Sequence, residues 1–162
     1  MTTDNKALAV RGENVLVSVK DLEEHFAIAV RQRELLEQYI KDRLKPERHF
    51  YQIGDSKPSL TKDGAELICL PHGYKPVYEF LFGPHDGEGD APYQLTMKCR
   101  LMKGDLFAGE GIGSASSYIT KKTGERVPRQ TDPGLRYNAT LKMAQKSAYI
   151  SATLNATAAS EF

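Results

Sequence analysis

The sequence predicts an α+β fold, with N-terminal helices followed by a curved antiparallel β-β-β sheet packed against a long C-terminal helix. Three observations predict it. Tyr93, Leu95, Met97, Cys99 and Leu101 alternate with Gln94, Thr96, Lys98 and Arg100, the period of a half-buried antiparallel strand. Gly109, Gly111 and Gly113 then occupy every second position, which strips one face of the next strand of side chains. Ala144, Ala148, Ala152 and Ala156 stand four apart, a narrow methyl ridge that lets a helix pack close to such a face.

Residues 1–17 read as an extended or frayed lead whose apolar cluster is Val15-Leu16-Val17. Ser18 offers an N-cap, and Asp21, Glu23 and Glu24 favour the positive end of a helix over residues 19–44. Leu22, Phe26, Ala29, Leu36, Tyr39 and Ile40 recur along it at three- and four-residue spacing, and Pro46 ends it. Residues 49–54 read as a short extended segment closed by a turn. A second helix begins near Ser59, carries Ala65, Leu67, Ile68 and Cys69 into the core and stops at Pro71-His72-Gly73. Residues 77–82 form the first strand, residues 83–92 a solvated glycine-rich loop, and residues 93–101 the second strand. Lys103-Gly104-Asp105 turns the chain into the third strand, residues 106–117. Residues 118–134 read as a basic loop, and residues 135–157 as the closing helix. All 162 residues fit one domain: the lead, a helical part over 18–71 and a β-β-β-α core over 74–157.

Hydrophobic residues make up 40% and charged residues 27%, the balance of an ordinary folded protein. Two cysteines 30 positions apart, with no clustered histidines, indicate neither a disulfide framework nor a zinc site. No charged-then-apolar leader opens the sequence and no apolar run approaches the roughly 18 residues of a membrane span, so a cytoplasmic location and no membrane partner are expected. Net charge is +1, yet it is unevenly spread. Residues 1–92 carry 12 Lys and Arg against 16 Asp and Glu, whereas residues 93–150 carry 10 against 4. A basic surplus confined to one strand, loop and helix points to an acidic partner, nucleic acid first.

The candidate nucleic-acid-binding residues are Lys98 and Arg100 on the second strand, Lys121, Lys122, Arg126 and Arg129 in the basic loop, and Arg136, Lys142 and Lys146 on the last helix. Single-stranded nucleic acid is held in positively charged grooves that track the phosphates. Here Lys98 and Arg100 would form one wall, the loop a flexible lip, and Lys142 and Lys146 the opposite wall. Each residue taken singly reads more simply as a solvated charge; their concentration on three successive elements favours the groove. The alternate glycines are not a phosphate loop, because no helix follows them directly and no lysine precedes a Ser or Thr there. The four histidines lie on different elements and no serine or cysteine has a nucleophile setting, so no catalytic residue, metal or other cofactor is expected. Asp86, Glu88 and Asp90 share a loop without EF-hand spacing.

The run from Pro58 to Leu67, the strand pair, the segment Gly109 to Ser117 and the run Asn138 to Ala148 together resemble phage and mobile-element single-strand DNA annealing proteins. That group is similar in layout to the eukaryotic recombination mediator that anneals complementary strands. The resemblance covers roughly residues 44–162 and rests on the order and spacing of three short motifs. It implies a homo-oligomeric ring or filament, each subunit adding its sheet to a continuous wall, with single-stranded DNA in a basic outer groove. The positions that match the family's lysines are Lys121, Lys122, Lys142 and Lys146. Gln145, Ser147 and Asn155 depart from the pattern where further positive charge is expected. A nuclease or a single-strand-binding protein is expected as a further partner.

The function expected is therefore ATP-independent binding and annealing of single-stranded DNA in homologous recombination and repair, by a protein that is not an enzyme. The alternatives are an oligomeric interaction module whose basic residues are incidental, and an RNA-binding regulator that stacks bases on Tyr118 and Tyr137.

Overall fold

A computed structural model of the chain describes residues 18–52, 54–84 and 91–161. The expectations for the lead and for most of the glycine-rich loop, with His85, Asp86, Glu88 and Asp90, lie outside the described residues. The chain divides into two units, one up to Arg43 and one from Leu44 onward.

In the first unit, α1 runs Val19–Arg43. Ser18 caps it as the sequence suggests: its hydroxyl accepts the Asp21 N–H at 3.1 Å, and the Asp21 carboxylate accepts the Ser18 N–H at 3.4 Å. Ion pairs Lys20–Glu24, Arg31–Glu34 and Arg33–Glu37 lace its surface. Leu36 and Ile40 are buried, whereas Leu22, Phe26 and Val30, on the same stripe, are exposed.

The second unit opens with a single helical turn, α2, Pro46–His49, which takes His49 from the extended segment expected over residues 49–54. Pro46 at the first position favours helix, and His49 Nδ1 closes the turn by accepting the Lys45 N–H at 2.8 Å. The chain then extends as β1, Phe50–Tyr51, which pairs antiparallel with β2, Ser59–Leu60. This pairing claims Ser59, so α3 starts later than expected, over Lys62–Cys69, capped by the Thr61 hydroxyl on the Gly64 N–H at 3.2 Å. A 3-10 turn at Leu70–His72 ends at Gly73, whose φ of +69° suits glycine.

Three antiparallel strands follow in order, β3 Lys75–Phe82, β4 Gln94–Lys103 and β5 Leu106–Ser116. Leu95, Met97, Cys99 and Leu101 point inward from β4, as their alternation requires. The last helix, α4, spans Pro133–Thr157, its first turn capped by Asp132 on the Leu135 N–H at 2.8 Å. Ala144, Ala148 and Ala152 are fully buried against β5. A Cβ on Gly113 would run into the Ala148 nitrogen, one on Gly111 into the Ala152 nitrogen, and one on Gly109 would lie 2.9 Å from Ala156 Cβ. Strand backbone and helix backbone therefore touch, which only the bare glycine face allows. The layout is α+β, an antiparallel three-stranded sheet packed against a long C-terminal helix, as the sequence predicts.

The basic loop is more ordered than expected. Residues 118–134 contain a hairpin, β6 Tyr118–Thr120 against β7 Arg126–Pro128. Gly124, at φ +85°, makes its turn, and the Lys121 N–H donates to Glu125 O at 2.9 Å.

Candidate nucleic-acid interface

The face of the sheet turned away from α4 is set by the strand pairing. Val77, Arg100 and Glu110 form one row across the three strands, and Glu79, Lys98 and Ile112 the next. Lys98 Nζ lies 3.0 Å from Glu79 Oε2, and Arg100 reaches the same oxygen at 2.5 Å and Glu110 at 3.9 Å. The hydrogen bond from Lys98, with Arg100 adding its own, holds the Glu79 carboxyl below the usual carboxylate range. Two cations thus face two anions, and the cluster is close to neutral. Lys98 and Arg100 also point away from α4, so they do not form a groove wall facing Lys142 and Lys146 within one subunit.

Lys142 and Lys146 sit on the opposite side of the two-layer unit. They project from α4 on the side away from buried Ala144, which faces the sheet. One turn separates them, about 6 Å along the axis. Neither has an ionic partner among the described residues. The absence of an opposing acid leaves their charge available to a polyanion.

The hairpin flanks the first turn of α4. At its tip Lys121 pairs with Glu125 at 2.9 Å, while Lys122 is exposed without an ionic partner among the described residues. The Arg126 guanidinium stands 5.8 Å from the centre of the Tyr118 ring, and the Arg136 guanidinium 5.6 Å from it. Arg136 is 2% exposed and donates to the Gln130 and Thr131 carbonyls, each at 2.9 Å. Arg129 donates from its side chain to Ser116 O at 2.6 Å and from its backbone to Ser117 O at 2.9 Å. Arg129 and Arg136 therefore fasten the hairpin and its exit to the sheet and helix, and their charges are already engaged by carbonyl oxygens. Tyr93 joins this region: its ring centre lies 6.3 Å from that of Tyr137. Tyr118 and Tyr137 are flagged by the sequence, whereas Tyr93 reads there only as the first inward residue of the expected second strand, just ahead of β4.

A cleft of about 410 Å³ opens between α3, β3 and α4, lined by Lys62, Glu66, Cys69, Tyr74, Tyr78 and Tyr149 among others. Its rim carries the Lys62–Glu66 ion pair at 2.9 Å. Burial pushes the Tyr78 phenol up to about 12 and raises Tyr149 as well. The Cys69 thiol lies 3.3 Å from the Thr153 hydroxyl, and burial pushes the Cys99 thiol up to about 12. These phenols and the Cys99 thiol are neutral at physiological pH, the reverse of an activated nucleophile. Among the described residues no three His, Cys, Asp or Glu side chains gather as metal ligands, and no helix is long and apolar enough to cross a membrane. Compared with known proteins, the chain matches no family model and no curated sequence.

Proposed function

We propose that the protein binds single-stranded DNA and anneals complementary strands without ATP, in recombination and repair in the cytoplasm, as the annealing proteins it resembles do. The observation that carries the reading is the pair Lys142 and Lys146, one turn apart on α4 with no acid against them. Lys122 and Arg126 extend the same charge onto the hairpin beside the start of α4. The outward face of α4 and the hairpin would hold the phosphates, and Tyr93, Tyr118 and Tyr137 would offer rings to any base that turns inward. A homo-oligomeric ring or filament would repeat this small site along one strand, so weak contacts in each subunit sum to firm binding. Pairing energy between the strands drives the product, and the process calls for no covalent step.

Fluorescence-monitored annealing of two complementary oligonucleotides, with protein and without ATP at low and moderate salt, tests this. Acceleration over the spontaneous rate is expected. An unchanged rate, with a stable oligomer present, favours the second reading, an interaction module. That reading draws on the near-neutral charge cluster and exposed apolar side chains of the open sheet face.

A further inference from the structure

We infer that the tyrosine-lined cleft between α3, β3 and α4 is a base pocket, which takes one unstacked base of the strand held on α4 and takes an amine-bearing base in preference to thymine. The inference rests on the proposed binding of single-stranded DNA and adds where a base goes. Residues 142, 146, 149 and 153 follow one another at four-, three- and four-residue spacing, so Lys142, Lys146, Tyr149 and Thr153 share one side of α4. The C-terminal part of that side is covered by α3, where the Cys69 thiol meets the Thr153 hydroxyl at 3.3 Å. The N-terminal part carries the two lysines. The cleft opens at the junction, and Tyr149 in its wall stands about 4.5 Å along the helix axis from Lys146. A strand that passes from the hairpin over Lys142 and Lys146 is thereby led to the cleft.

The lining suits a flat ring. At about 410 Å³ the cleft has the size of a small-ligand site, and Tyr74, Tyr78, Tyr149 and Pro76 give it apolar faces. Tyr74 is itself held by stacking on His72, with ring centres 5.0 Å apart. Bases stack on such rings whatever their identity. Selectivity comes from the polar rim. The Glu66 carboxylate, paired with Lys62 at 2.9 Å, can only accept hydrogen bonds. Burial, with the Glu66 charge adding to it, keeps the Tyr78 and Tyr149 phenols protonated, so Tyr78 can donate. An acceptor beside a donor matches cytosine, whose N4 amine donates next to the N3 acceptor, and adenine in the same way. Thymine turns its O4 carbonyl where that amine would be, oxygen against carboxylate.

The test compares oligo-dC with oligo-dT of equal length by fluorescence anisotropy. Wild type should bind oligo-dC about fivefold more tightly, the scale of one hydrogen bond. Glu66→Ala, at an exposed helical position, should bring the two affinities together without weakening oligo-dT, because removal of a negative charge does not by itself weaken the hold on a polyanion. Irradiation of a strand that carries 5-iodocytosine should attach it to a peptide containing Tyr74, Tyr78 or Tyr149. Equal wild-type affinities, a preference that survives Glu66→Ala, or a crosslink confined to Tyr118 and Tyr137 overturns the pocket and leaves strand binding standing. Free dCMP that binds as tightly as oligo-dC overturns it too, since the cleft then serves a free nucleotide. A wild type that binds neither strand overturns the proposed function, and the pocket with it.

Discussion

Gly113→Ala tests whether the contact between β5 and α4 rests on the missing Cβ. Two opposing effects fix the expected size. Gly113 lacks a positive φ, so alanine is compatible with its backbone and gains about 0.4–1 kcal/mol by restricting the unfolded chain. Against this, the new methyl would collide with the Ala148 nitrogen and lie 2.6 Å from the Ala144 oxygen. Both are backbone atoms of one helical turn, so no rotamer change relieves the clash and the helix itself must lift. Overpacking costs about 1–3 kcal/mol, and a collision with backbone that cannot turn aside belongs in the upper part of that range, about 2–3 kcal/mol, which leaves a net loss of about 1–2.6 kcal/mol, or about 4–10 °C in Tm for a unit of this size. Gly111→Ala should behave alike, and Gly109→Ala more mildly, since its nearest neighbour is the Ala156 methyl at 2.9 Å. Truncating the ridge with Ala148→Gly should not rescue Gly113→Ala, because the obstacle is the nitrogen. The control is Gly134→Ala in the first turn of α4, where the nearest atom is Asp132 Oδ1 at 3.4 Å. There helix propensity predicts a gain of about 0.5–1 kcal/mol. Urea melts followed by circular dichroism read both signs. A Gly113→Ala protein as stable as wild type, or a rescue by Ala148→Gly, would refute the backbone-contact argument.

Three further outcomes are expected. Replacing Lys142 and Lys146 together by alanine should weaken single-stranded DNA binding for all sequences alike and flatten the log–log salt slope by up to about 1.4 per subunit; replacing Lys98 and Arg100 should leave that slope nearly unchanged, and a salt titration by fluorescence anisotropy compares the two. The depressed Glu79 carboxyl adds stability that is present above the unfolded carboxylate value and is lost as pH falls through its lower folded value. Stability measured on acidification below about pH 4.5 should therefore decline less steeply in Glu79→Gln, and an identical acid limb would remove the group from the account. Cys69 and Cys99 should both resist a thiol reagent at pH 8 in the folded protein and react fully in denaturant, because both are buried and the Cys99 thiol sits near 12; rapid labelling of either in buffer contradicts this.

The parts of the fold written in local periodicity were legible in the sequence: the alternation of β4, the glycine row of β5, the alanine ridge of α4 and the Ser18 cap. Parts that depend on distant partners were not. Lys98 and Arg100 look free in the sequence because the acid that neutralises them, Glu79, is on another strand. Asp132 lies within the loop expected over residues 118–134, whereas its carboxylate accepts the Leu135 N–H and caps α4 from there. Arg136 had a signal that was available: positions 136 and 140 continue the four-residue row of 144, 148 and 152. Extending the ridge backward would have placed Arg136 and Thr140 on the packed face, where both are buried. The hairpin after β5 was hidden because its strands have three residues each, too few for a period to show.

The glycine seam also acts on the folding process as a register key. A slip of β5 by one residue would turn Gly109, Gly111 and Gly113 to solvent and thrust Glu110, Ile112 and Ser114 beneath α4. A carboxylate, a branched side chain and a hydroxyl would then occupy a space with no room even for a methyl group. Misaligned hairpins are thus rejected when the helix docks, and the bare face contributes accuracy of pairing that no single stabilising contact in the seam could supply.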